Sequence, residues 1–170
     1  MATRLVHGLA HRITVRVAGR AFTLVEILIV VVIIGILAAI IVPQFSSATD
    51  ASRRASFTGS LKSMSDSMVM YYTRTLDFPE DAASGRLPPS LIGYMRIEQF
   101  EKPTPLGGVW DVERDRNGVV SAIGVHFNSP LAVGDDAVMS EVDAIFDDGD
   151  VETGMFRRIA LDRYYCVIAD

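Results

Sequence analysis

The sequence predicts an α+β chain: a long N-terminal helix, membrane-spanning in its first half and amphipathic in its second, packed against a small antiparallel sheet of about four strands. Three observations predict it. From Ile27 to Val42, sixteen residues follow one another without a polar side chain. Beyond them Phe57, Leu61, Met64, Met68 and Tyr71 or Tyr72 recur at three- and four-residue spacings, one stripe of a helix. The last third then breaks into four short runs rich in Val, Ile, Tyr and Phe, grouped in two pairs, each pair divided by a turn.

Taken in order, the first 21 residues are a basic leader. They hold Arg4, Arg12, Arg16 and Arg20 and no acid. With those four set aside from the chain's 16 basic residues, twelve stand against 21 acids, so the rest of the chain carries a net charge near −9. An acidic body of this kind argues against a nucleic-acid-binding face, which needs clustered Lys and Arg. Mean hydropathy is +0.29, raised by the Phe22–Val42 run, and the remainder is ordinary for a soluble domain. The single cysteine, Cys166, reads as a small apolar core residue and allows no intrachain disulfide.

The apolar run with its Phe22–Val25 preface is about 21 residues, enough to cross ~30 Å of hydrocarbon as a helix and longer than the roughly 7–15 residues of a cleaved export signal. The arginines all precede it, which places residues 1–21 in the cytoplasm and the C-terminal body on the far side. After Pro43 the pattern turns amphipathic, and the helix is expected to run to about Thr75, with Phe78-Pro79 ending it, a length of roughly 80 Å from Phe22. The segments are therefore 1–21 leader, 22–45 spanning helix, 46–76 amphipathic continuation and 77–170 globular domain.

Residues 79–108 connect. "PEDAASGRLPPS" is punctuated by Pro and Gly, and "SLIGYMRIEQF" is expected to form a short helix over the core. "VWDVERD" and "GVVSAIGVHF" flank Asn117-Gly118, a hairpin signal. "DDAVMSEVDAIF" reads as a helix started by Asp135 or Asp136, with Val138, Val142, Ile145 and Phe146 as its apolar face. "GMFRRIA" and "RYYCVIAD" form a second hairpin around Leu161-Asp162. The sheet is expected to shield the helix from Phe57 to Met68.

Glu26 is the residue a plain anchor does not explain, because an acid inside a span is costly. It lies one helical turn, about 6 Å along the axis, from Phe22 on the same face. A cut between Ala21 and Phe22 would give Phe22 a new α-amine, a cation able to pair with a carboxylate one turn along, its own or a neighbour's. On this reading the cost of Glu26 is offset only after cleavage.

"AFTLVE" before a long apolar run that contains Gly35 and is closed by Pro43 resembles the N-terminal segment of type IV prepilins and type II secretion pseudopilins. The resemblance is specific over Ala21–Phe45 and only architectural beyond the helix, where it implies a pilin-like domain. It implies cleavage between Ala21 and Phe22 by a membrane-embedded prepilin peptidase that also N-methylates Phe22. It makes Glu26 the assembly acid, pairing with the N-terminal amine of an adjacent subunit, and Gly35 and Pro43 the points where the helix bends. Implied partners are that peptidase and methylase, like or related pilin subunits in a helical filament, the inner-membrane assembly platform, and membrane lipid before assembly. The implied location is the bacterial inner membrane, single pass with a periplasmic domain, then the pilus or pseudopilus. Ala21 departs from the family's usual glycine before the cut, and the long leader leans toward a pseudopilin-like or divergent lineage. The alternatives are a minor or initiating pilin whose exposed domain binds a surface, cargo or DNA, and a plain membrane-anchored protein.

The body carries no catalytic pattern. His7 and His11 lie in the leader, leaving His126 in a strand, and no Ser-His-Asp or Cys-His set is expected from one His and one late Cys. There is no phosphate loop or zinc spacing, so the expected protein is not an enzyme. Asp147, Asp148, Asp150 and Glu152 in "FDDGDVETG" are oxygen ligands at a spacing able to hold calcium, and major pseudopilins resemble this chain in carrying a C-terminal calcium site. The stretch is not an EF-hand loop, and the competing reading is a solvated helix exit with Asp-Gly in the bend.

Overall fold

The computed structural model describes residues 22–127 and 135–170; the expected leader, with Ala21, lies outside them. Helix α1 runs from Leu24 to Thr75 without interruption, through Pro43. Proline has no N–H to return to the carbonyl of Ala39, and the chain divides into two compact units at this point, one ending at Pro43 and the other beginning at Gln44.

In the first unit the helix from Leu24 to Val42 is exposed on every side. This is the one described helix long and apolar enough to cross a membrane. Such an all-round apolar surface is what lipid or other apolar helices would cover.

The second unit holds the core. Strands β1 (Val109–Arg116), β2 (Val119–His126), β3 (Phe156–Ala160) and β4 (Arg163–Ala169) form an antiparallel sheet in the order β1-β2-β4-β3. Both expected hairpins are present. Asn117 and Gly118 both have positive φ, 54° and 80°, the two left-handed residues that a tight hairpin turn requires. Phe57, Leu61, Met64 and Met68 of α1 are buried against Trp110, Val112, Ile123, Val125, Tyr164 and Cys166 of the sheet. Phe57 stacks on Trp110 with ring centroids 5.2 Å apart. Tyr71 extends the stripe onto Tyr94, whereas Tyr72 is exposed and stacks on Phe78. Leu76, at φ 57°, ends the helix where the sequence placed its stop.

Two expectations are corrected. "SLIGYMRIEQF" is not one helix but a 3-10 turn (Pro89–Leu91) and a one-turn helix, α2 (Ile97–Phe100), because Gly93 between them takes φ 96°. Helix α3 (Asp135–Phe146) buries Met139 and Val142, while Ile145 is 64% exposed. Its apolar face is thus rotated from the one the valines and isoleucine suggested, and the buried stripe takes in Asp143. Arg54 of α1 reaches Glu141 of α3 at 2.9 Å, and α3 carries the chain from β2 to the far edge strand β3.

Candidate functional site

The first site is the start of the apolar helix. Thr23 stands just before the first helical residue, and Glu26 is the third residue inside. The Thr23 N–H and hydroxyl both donate to Glu26 Oε2, each at 2.9 Å, and the Glu26 N–H donates to Thr23 Oγ1 at 3.2 Å. This is a reciprocal capping box, which satisfies N–H groups that every helix start leaves open and puts a negative charge at the positive end of the helix dipole. The expectation that Glu26 is offset only after cleavage is therefore corrected: Thr23 already supports it. The T-x-x-E spacing carried that signal. Both bonds fall on Oε2, and among the described residues Oε1 accepts none. Gly35 lies on the same helix, and a Cβ there would meet nothing within 4 Å, so nothing in the described chain requires glycine at that position.

The second feature is a polar cluster on the sheet face turned away from α1. Alternation along β1 buries Trp110 and Val112 on one side and sends Asp111 and Glu113 to the other. Both acids are nonetheless buried, at 2% and 1% exposure. Asp111 Oδ2 accepts from Tyr165 OH at 2.6 Å, Arg163 Nη1 at 2.8 Å and Ser84 Oγ at 2.9 Å, and Arg163 Nη1 also donates to Glu113. Tyr165 reaches Asp111 across β2 because position 124 is glycine; a Cβ there would overlap the Tyr164 carbonyl and the Tyr165 ring. Burial and the Asp111 charge hold the Tyr165 phenol well above its ordinary range.

His126 joins this cluster, with Nδ1 2.7 Å from Ser84 Oγ and Nε2 3.2 Å from Asp162 Oδ2. Sequence reasoning expected no Ser-His-Asp set, yet the fold aligns these three. The Ser84 hydroxyl, however, is also within hydrogen-bond reach of Asp111, and the row ties the connecting segment to the sheet. From β1, Arg114 donates to the Phe78 carbonyl and Asp77 of the same segment and Arg116 pairs with Asp81, while the Gly85 N–H donates to the Trp110 carbonyl at 2.8 Å. Residues 77–85 thus cover the free edge of β1, which would otherwise present unpaired backbone.

The third feature is the acidic turn after α3. Its carboxylates hold the turn itself. Asp147 Oδ2 accepts from the Met155 N–H, Asp148 from the Asp150 N–H and the Thr153 hydroxyl, and Asp150 from the Glu152 N–H, while Glu152 pairs with Arg158. Asp147, Asp148, Asp150 and Glu152 are exposed. Among the described residues no three His, Cys, Asp or Glu side chains converge as a metal site would require. Asp143, fully buried beside this turn, has its carboxyl pushed up to about 6, chiefly by burial, with the Asp148 and Asp147 charges acting in the same direction.

The family comparison falls on the first site. Residues 18–42 match the family described as prokaryotic N-terminal methylation motif. Type II secretion system core protein G of Pseudomonas aeruginosa is 41% identical over 58 residues, which cover 34% of this chain. The match spans 41% of that relative's length. No solved structure matches the chain.

Proposed function

We propose that this chain, whose N-terminal segment is that of the prepilin and pseudopilin family, is a structural subunit cut between Ala21 and Phe22, N-methylated on Phe22 and assembled through its apolar helix into a type IV pilus or type II secretion pseudopilus. The observation that carries the reading is the capped Glu26 at the head of a helix exposed on all sides, inside the segment that matches the methylation motif. Helices packing side by side would replace lipid around Ile27–Val42. Gly35, with open space where a side chain would stand, would let a neighbouring backbone come close. Pro43, at the junction of the two units, would let the helix bend. The prepilin peptidase, the assembly platform in the inner membrane and like subunits are the partners this reading requires, with the leader cytoplasmic and residues 44–170 on the far side.

Registration is electrostatic. Thr23 holds the Glu26 carboxylate through one oxygen, leaving the other for the α-amine of a neighbouring subunit's Phe22. In an apolar bundle an unpaired carboxylate is disfavoured strongly, so one axial register is selected over its alternatives. The outer sheet face supports a structural role over a nucleic-acid-binding one, since its polar groups are acid-rich and already paired with one another. Mass spectrometry of the membrane-extracted protein tests the reading. The expected product begins at N-methyl-Phe22; a chain that retains Met1 would refute it.

A further inference from the structure

We propose that, within the filament, the acidic turn Asp147–Glu152 of one subunit seats in a cationic groove of the next, formed by α1 and the segment 94–106. This rests on reading the chain as a filament subunit. Two cavities that share Pro105 make the groove. One, of about 300 Å³, is lined by Asp50, Arg53, Arg54, Leu106, Phe127 and Met139 among others. The second, of about 340 Å³, is lined by Arg96, Glu98, Lys102 and Trp110 among others.

Charge is partitioned between the two sides of this domain. Arg114, Arg116, Arg157, Arg158 and Arg163, all on the strands, are ion-paired within the chain. Arg53, Arg96 and Lys102 are exposed on the groove and make no ion pair among the described residues. The acidic turn is their complement. It presents Asp147, Asp148 and Asp150 to solvent and is flanked by Ile145 and Met155, 64% and 53% exposed. Carboxylates with apolar shoulders therefore face cations set beside Leu106, Pro105 and Phe127.

The same molecule cannot satisfy both surfaces. Met139 lines the groove, and Asp147, just past the end of α3, begins the turn eight residues further along the chain, about 12 Å of helical rise. The turn is also fixed by its own hydrogen bonds. A surface on one copy that fits a different surface on another is a heterologous contact, and repeated without closure it generates a helical filament.

The test uses the full chain in cells that assemble it, comparing the multimer fraction, captured by chemical cross-linking, with the membrane pool. Arg53→Glu and Lys102→Glu lie on exposed positions outside the core, and Asp150→Lys lies on the turn. Each single reversal is expected to lower the multimer fraction about tenfold while Phe22 remains methylated; the melting temperature holds in Arg53→Glu and Lys102→Glu and falls slightly in Asp150→Lys, which loses the acceptor of the Glu152 N–H, and joining Lys102→Glu to Asp150→Lys is expected to restore most of the multimer. Wild-type levels of multimer in Arg53→Glu and Lys102→Glu, or no recovery in the double reversal, would overturn the interface alone. Absence of multimers from the wild type would overturn the filament reading and this interface with it.

Discussion

Replacing Asp143 with Asn should stabilise the globular domain at neutral pH. Asp143 is fully buried at the end of α3, and its carboxyl ionises at about 6 where an ordinary aspartate ionises at 3.8. A carboxyl raised in the folded state binds more protons folded than unfolded across that window. The wild-type domain therefore loses stability as pH rises from 3.8 to about 6, and the loss is complete above that. The displacement corresponds to about 3 kcal/mol, or roughly 10 °C in melting temperature for a domain of this size. Asparagine keeps the shape, carries no charge, and can donate to Asp148 where a carboxylate only repels it. The assay is thermal melting of the detergent-solubilised full chain from pH 4 to 8, wild type against Asp143→Asn. The variant should melt higher at pH 7.5, and the gap should close as pH falls toward 4. A gap that ignores pH, or a variant that melts lower at pH 7.5, would refute the account. The same melts run in calcium and in chelator test the turn beside Asp143. Its carboxylates already accept from Met155, Asp150, Glu152 and Thr153, so equal curves are expected, and a rise in calcium would make the turn a cation site.

Two further substitutions separate assembly from folding. Glu26→Ala should leave membrane insertion and cleavage intact and abolish incorporation into multimers, read by cross-linking; normal incorporation would sink the registering role. Gly124→Ala should destabilise the sheet by about 3 kcal/mol, because a methyl group has no room beside Tyr164 and Tyr165; a melting temperature within a degree of wild type would show that the contact relaxes freely.

Periodicity made the architecture legible, and the polar placements were far less so. The Phe57–Met68 stripe, the Asn117-Gly118 turn and the stop after Thr75 each rest on local chemistry, and each stands where the residues put it. Helix α3 sits one position away from the face its apolar residues predict, because its buried stripe includes Asp143 and apolar spacing alone assigns such a residue to solvent. The cluster around Asp111 was illegible for a different reason. Strand alternation sends Asp111 and Glu113 to the outer face, where acids are ordinarily solvated. Only the β1-β2-β4 order, with a glycine at 124, lets Tyr165 and Arg163 reach across and bury them. Long-range pairing of this kind leaves no mark at any fixed sequence spacing. The capping box at Thr23 is the opposite case: the T-x-x-E spacing is a local signal written in the sequence.

That box changes what Glu26 needs from a neighbour. A carboxylate that waited for an amine would be unsupported through membrane insertion, and the helix would start without a cap. With Thr23 in place the acid already has a local role, and in the proposed filament the amine of the next subunit would meet a carboxylate already fixed in position. Preorganisation would lower the ordering cost of the proposed intermolecular pair, so more of the pairing energy would discriminate between registers. Charge and cap can then be separated. Glu26→Gln retains an acceptor for Thr23 and removes the charge, whereas Thr23→Ala retains the charge and removes the cap. If registration depends on the ion pair, the glutamine variant fails like alanine, and the Thr23 variant assembles, more slowly.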